Sequence, residues 1–263
     1  VHYEAKQFKV AVGVLRKLKQ DFPKHQYILL ISRMLAQSLL ESGQYDESLT
    51  EFEWLYKQYT QVKETRNDSM AKEIEKAIAY VLFQMAEQSV KQGQYQKGAE
   101  SYLALVKRYP LIDIADKAVF EAGAAYEKDQ QFTKAAETFM ILPKQYAKSP
   151  LTIKGIVRAG DAHKKAANLK KSDKAYYEQE YREAAQTYLF ITNNFPQDSM
   201  AFMAIGSAAQ VYDTIADKKS AAVTYELAYK RYPKDERTPG YLYSACLSYD
   251  EAKMTDEAIR CNK

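Results

Sequence analysis

The sequence predicts an all-α solenoid built from antiparallel helix pairs, and three observations carry that expectation. An aromatic-proline dipeptide recurs at Phe22-Pro23, Tyr109-Pro110, Phe195-Pro196 and Tyr232-Pro233. Each closes a stretch in which aromatic and small residues repeat at one helical spacing. The strong helix breakers are few, 9 Gly and 7 Pro, and most of the prolines fall at junctions between those stretches.

The second helix of each pair, helix B, is set out from its first aromatic, the anchor. Anchors fall at Phe8, Tyr45, Tyr95, Phe132 and Tyr181, with Lys218 and Thr255 holding the slot in the last two copies. Successive anchors are 37, 50, 37, 49, 37 and 37 residues apart. Three residues on comes a small side chain in every copy: Ala11, Ser48, Gly98, Ala135, Ala184, Ala221 and Ala258. Seven residues on stand Leu15, Phe52, Tyr102, Phe139, Tyr188 and Tyr225, and fourteen on stand Phe22, Tyr59, Tyr109, Tyr146, Phe195 and Tyr232. These offsets lie on one face of a helix, so they define a single apolar stripe.

Helix A precedes each anchor. Its stripe runs through Leu39, Tyr126, Tyr212 and Tyr249 six positions before, and Ala36, Ala86, Gly123, Ala209 and Cys246 nine before. Leu35, Met85, Ala122, Ala208 and Ala245 stand ten before. Gly43 and Gly93 mark the turn between the two helices, because glycine adopts the positive φ that ends a helix. Asp198-Ser199, Ser149-Pro150 and Thr238-Pro239 supply capping side chains for the starts of helix A. Pro143 falls inside a helix B, where it should break or kink it at a cost of about 3 kcal/mol.

The two long steps are insertions. In the first, Asn67-Asp68-Ser69 reads as a cap, which places a loop from Thr60 and a lengthened helix from Met70. In the second, Gly160 takes the small slot and His163 the tyrosine slot, so the extra residues fall between helices A and B, around Asn168 to Lys174. Insertions in a repeat array map to exposed edges, where they serve as decoration or dock another domain.

These residues resemble the tetratricopeptide repeat. The stretches Gly93 to Pro110 and Ile205 to Pro233 carry its pattern most cleanly, the second through Ile205, Ala208, Ala209, Tyr212, Ala221, Tyr225, Ala228 and Pro233. The resemblance implies one domain over 1-263: a right-handed superhelix of five full repeats with a half repeat at each end. The chain starts at Val1 in a second helix without its partner and stops at Lys263 inside another, as a piece of a longer protein would. The unit exceeds the family's usual length by three residues after the proline. That spacing, with Tyr-Pro endings, is similar to bacterial envelope repeat proteins of the outer-membrane assembly lipoprotein and Tol-Pal coordinator types. A periplasmic or cell-envelope location is thereby favoured over the cytoplasm.

No catalytic or metal-binding constellation stands out. The histidines, His2, His25 and His163, lack the spacing of a metal site or an acid-base pair, and His163 is expected to pack. The Asn67-Asp68-Ser69 sequon would matter only in a secreted eukaryotic protein. Cys246 and Cys261 are too few for a disulfide framework, and Cys246 is expected as a buried free thiol. The net charge of +4 is mild for a nucleic-acid binder, although Arg158, Lys164, Lys165, Lys170 and Lys171 gather within Lys154 to Lys174. That cluster reads as a solvated helix face ahead of an anion site. The longest apolar run, Ala77 to Phe83, holds seven residues, well short of the roughly 18 that span a bilayer.

What remains is a non-enzymatic scaffold that binds a protein or peptide, without cofactor, nucleic acid or membrane insertion. By the resemblance, helix A lines the concave face, with slots at Leu30, Arg33 and Gln37; Tyr80, Phe83 and Glu87; Lys117, Phe120 and Ala124; Lys154, Val157 and Asp161; Met203 and Gln210; Tyr243 and Leu247. Phe83, Phe120 and Tyr243 are expected either to face solvent as anchors for a hydrophobic or extended peptide, or to pack under the lengthened helices or a terminal repeat missing from the sequence. The asparagines of the family's two-carboxylate clamp are missing from these slots, so recognition of that kind is not implied. A structural or assembly role through convex edges or terminal helices is the alternative.

Overall fold

The computed structural model describes residues 7-261 of the 263-residue chain, so Val1, His2 and Lys263 lie outside the described residues. Every regular element among them is helical. In chain order these are α1 (Phe8–Asp21), α2 (Ile28–Glu41), α3 (Tyr45–Gln61), a 3-10 turn (Lys63–Thr65), α4 (Asp68–Lys91), α5 (Tyr95–Arg108) and α6 (Ala115–Lys128). There follow α7 (Phe132–Phe139), α8 (Ile141–Gln145), α9 (Thr152–Leu169), α10 (Lys174–Asn194), α11 (Met200–Thr214), α12 (Lys218–Arg231), α13 (Thr238–Glu251) and α14 (Thr255–Cys261). The chain divides into two compact units, Val1–Ala118 and Val119–Lys263, with the division inside α6. In each unit successive helices pack on one another, the arrangement of an all-α solenoid.

One turn recurs between helices A and B. The amides of Gly43 and Gln44 donate to Leu40 O and Leu39 O at 3.0 and 2.9 Å, and Gly93 and Gln94 repeat this with Val90 O and Ser89 O. This double bond is a Schellman turn, and it requires the positive φ of 78° and 79° found at the two glycines. Gln130, Ala216 and Lys253 hold the same position without glycine, at φ of 58°, 56° and 59°, with the same pair of bonds. An L side chain there costs about 1–2 kcal/mol. Ala216→Gly is therefore expected to stabilise the second unit by about 0.5–1 kcal/mol once the greater unfolded-chain entropy of glycine is deducted. Urea denaturation reads this, and a loss of stability would contradict it.

Helix B ends as the aromatic-proline pairs dictate. Phe22, Tyr109, Phe195 and Tyr232 stand just past their helices at φ near −130°, each amide bonded four residues back, because the following proline bars the α conformation. Pro143 acts as expected: α7 stops at Phe139 and a five-residue α8 resumes at Ile141, since the proline ring clashes with the carbonyl four residues before it. Asp198 Oδ1 accepts from Met200 N (2.8 Å) and Ser149 Oγ from Leu151 N (3.1 Å), which closes the turns leading into α11 and α9. The N-cap residues themselves, Ser199 and Leu151, make no side-chain cap bond, so the expected capping is not realised there. Thr238 departs from its expected role. Its hydroxyl donates to Tyr232 O at 2.6 Å and ties the new helix to the end of the previous one, as Thr152 does to Tyr146 O.

The insertions take different forms. Asn67 caps α4 by accepting from Met70 N at 3.0 Å, and α4 runs for 24 residues, so the loop and lengthened helix lie where expected. The second insertion lies at the junction of helices A and B, as expected, but most of it is helical. It lengthens α9 to 18 residues and α10 to 21, leaving only residues 170-173 outside helix, and Asp173 caps α10 through Tyr176 N at 3.1 Å.

Small slots bring the backbones together. Ser48 Oγ donates to Ala36 O at 2.8 Å, and a Cβ on Gly98 would stand 3.1 Å from Ala86 O. The Phe139 ring lies 2.6–2.8 Å from where a Gly123 Cβ would be, and Tyr188 covers Gly160 in the same way.

Cys246 is not a free thiol. It is joined to Cys261, 15 residues on, in a disulfide that ties α13 to α14 with a Cα separation of 5.4 Å. Closing a loop of that length contributes about 3 kcal/mol in the chain-entropy account. Reduction is expected to raise the hydrogen-exchange rate of α14 amides at least tenfold while those of α9 and α10 stay unchanged. Unaltered α14 protection would contradict the stapling.

Candidate functional site

The slots assigned to a partner fall on helix A in both units, and the structure divides them into exposed and covered. In the first unit Leu30, Arg33, Tyr80 and Lys117 are exposed, Gln37 and Glu87 half-buried, and Phe83 buried. Arg33 Nη2 pairs with Glu73 Oε2 at 3.2 Å, Gln37 donates to Glu41 Oε1 at 2.9 Å, and Glu87 pairs with Lys91 at 2.9 Å. Leu30, Arg33 and Gln37 line a depression of about 280 Å³ with Glu73, Ile74 and Ala77. Those last three belong to the extra turns at the start of α4, so the first insertion builds one wall of the helix A face.

In the second unit Lys154, Met203, Gln210, Tyr243 and Leu247 are exposed, Ala124, Val157 and Asp161 half-buried, and Phe120 buried. Asp161 accepts from Tyr188 Oη at 2.7 Å and pairs with Lys164 at 3.2 Å. Tyr243 is 65% exposed and Leu247 48%, one turn apart on α13.

Phe83 and Phe120 therefore do not face solvent. Phe83 is 4% exposed and packs on Tyr102 with ring centroids 4.9 Å apart, while Phe120 is 6% exposed and packs on Phe139 at 5.5 Å. Each is roofed by a lysine from the next helix A: Lys117 Nζ lies 5.1 Å from the Phe83 centroid and Lys154 Nζ 5.1 Å from that of Phe120. A cation over a ring contributes about 0.5–1 kcal/mol at exposed sites. The signal was present in the sequence as an aromatic followed by lysine at the same separation in both copies.

The basic cluster on α9 is largely paired. Arg158 and Lys165 share Glu127, whose side chain is 8% exposed, and Arg158 also covers the Phe120 and Phe139 rings at 5.1 and 4.8 Å. His163 packs in the core of the α9–α10 pair, with Nδ1 2.7 Å from Glu180 Oε2. Further along, burial and then Asp213 push the Tyr225 hydroxyl up to about 12, and burial with a 2.6 Å bond to Glu226 does the same for Tyr249. Tyr188 is raised further by burial and by Asp161. All three are phenols held neutral as buried donors, which suits packing between helices.

No group of three or more potential metal ligands gathers among the described residues, and no helix there is long and apolar enough to cross a membrane.

The model of the tetratricopeptide repeat family matches residues 83-150. No curated protein matches the chain in sequence. Among solved structures, the chain is similar to BtubC (BKLC) from P. vanneervenii at 16% identity, covering 84% of this chain and 87% of that one with a TM-score of 0.36. It is similar to a tetratricopeptide repeat protein from Parabacteroides merdae at 16% identity, covering 96% and 88% with a TM-score of 0.34. It is also similar to the TPR2AB domain of yeast Sti1, solved with pHSP90, at 12% identity, covering 90% and 89% with a TM-score of 0.32. Residues 83-150 are thus similar to the tetratricopeptide repeat, and the same helix A, Schellman turn, helix B unit recurs on both sides of them.

Proposed function

We propose that this protein is a non-enzymatic scaffold that holds a protein or peptide partner on the helix A faces of its repeats. Tetratricopeptide repeats generally mediate protein-protein interaction. The observation that carries the reading here is the row of large apolar side chains left open at helix A slots, Tyr80 and Met203 within the array and Tyr243 and Leu247 on its last helix A, while the helix B stripe beneath is buried. Tyr80 and Met203, 46% and 48% exposed, share one slot 15 residues before their anchors, and Tyr243 and Leu247 stand at the next two slots, 12 and 8 before theirs. Aromatic side chains held on rigid helices supply anchor energy at low entropic cost.

The test compares tagged wild-type protein with Tyr243→Ala/Leu247→Ala and with Val223→Ala/Tyr229→Ala on α12. The helix A pair is expected to weaken the affinity of the recovered partner at least tenfold, and the α12 pair to leave it within twofold. The reverse ranking would move the contact to helix B.

The alternative, an assembly domain of a bacterial envelope complex, draws support from one feature. The Cys246–Cys261 disulfide suits an oxidising compartment, since such bonds are rare in cytosolic proteins.

A further inference from the structure

The lengthened α9–α10 pair builds a second concave surface, away from the helix A slots. It is a pocket of about 280 Å³ at the hairpin edge of the second unit. Its apolar part is Phe132, Ala166 and Leu169, the last of these 58% exposed. Its polar part is Lys134, Lys170, Thr133 and Tyr176, completed by the Gln130–Gln131 turn. Thr133 Oγ1 lies 3.4 Å from Tyr176 Oη, and Lys170 Nζ sits 4.6 Å from the centroid of the Tyr176 ring. No carboxylate lines the pocket.

Charge sets the occupant. The carboxylates on adjoining turns are engaged: Asp129 accepts from Gln131 and Asp173 from the Tyr176 amide. Lys165, nearby over the Phe132 ring, is paired with Glu127. Lys134 and Lys170 have no ion-pair partner among the described residues. They frame apolar surface with positive charge. At about 280 Å³ the pocket has room for a side chain or two. Nucleic acid is disfavoured, since each phosphate contact calls for a cation and only two lysines line this pocket.

We infer that this pocket docks an acidic peptide segment of a partner protein, an apolar side chain entering between Phe132 and Leu169 while flanking carboxylates meet Lys134 and Lys170. The inference is independent of the helix A reading. The insertion then serves as a docking edge, and Lys170 and Leu169 owe their place to the extra turn that ends α9.

The test uses the whole chain and a fluorescein-labelled hexapeptide, Glu-Glu-Leu-Phe-Glu-Glu, in fluorescence anisotropy at low salt. Saturable binding is expected, at least tenfold weaker for the same peptide with Gln in place of Glu. Lys134→Glu/Lys170→Glu is expected to weaken it at least tenfold, with circular dichroism unchanged because both side chains are exposed. Leu169→Ala is expected to weaken it several-fold, and Tyr243→Ala/Leu247→Ala to have no effect, which separates this site from the helix A face. Equal binding of the Gln peptide, unaltered binding by the charge-reversed variant, or equally tight binding of a single-stranded oligonucleotide would each overturn the proposal.

Discussion

Phe139→Ala is expected to lower the unfolding free energy of the second unit by about 3–5 kcal/mol, the range for truncating a fully buried aromatic. The ring is 0% exposed, and two neighbouring helices pack on it. It fills the space that Gly123 leaves on α6, it meets Phe120 at 5.5 Å, and it lies 4.8 Å beneath the Arg158 guanidinium of α9. It also ends α7, where Pro143 prevents the helix from running on and the chain cannot shift along its axis to refill the void. A loss of less than about 1 kcal/mol by urea denaturation would show that the site collapses around the smaller side chain.

His163→Leu is expected to cost about 3–5 kcal/mol, for an electrostatic reason rather than a steric one. Glu180 is 6% exposed, and its one hydrogen-bond partner among the described residues is His163 Nδ1 at 2.7 Å. Leucine fills much the same volume but leaves a carboxylate buried without a donor. The double replacement His163→Leu/Glu180→Leu removes both polar groups and is expected to recover most of the loss, because two well-packed apolar groups often match a buried pair. If the double variant is as unstable as the sum of the two single ones, the pair is not coupled, and the cost lies in packing.

Much of the fold was legible because its signals are local. The aromatic-proline pairs mark helix B ends through the conformational bar that proline places on the residue before it, and Gly43 and Gly93 mark turns through their positive φ. The same turn at Gln130, Ala216 and Lys253 carries no residue-type signal and is found only by counting back two from the anchor. Exposure at the helix A slots was less legible, since Phe83 and Phe120 are covered by lysines supplied from the following repeat. The disulfide was missed for a related reason. Cys246 stands nine before its anchor and Cys261 six after, and the contact of Gly123 with Phe139 shows that the ninth position before an anchor faces the seventh after it. Read through that cross-helix register, the two cysteines are neighbours. Register locates the α9–α10 insertion at the junction of helices A and B but does not show its helical form: the added residues lengthen both helices, with Tyr177 and Tyr181 packed 4.7 Å apart.

The central claim is that the open helix A slots, rather than the helix B surface, meet a partner. Site-specific photo-crosslinking with p-benzoylphenylalanine in place of Tyr80, Tyr243 or Tyr229 tests it most directly, since all three tyrosines are 45–65% exposed and differ in the helix that bears them. Adducts with one discrete protein from Tyr80 and Tyr243, and none from Tyr229, are the predicted result. A discrete adduct from Tyr229 with none from Tyr80 or Tyr243 would contradict it.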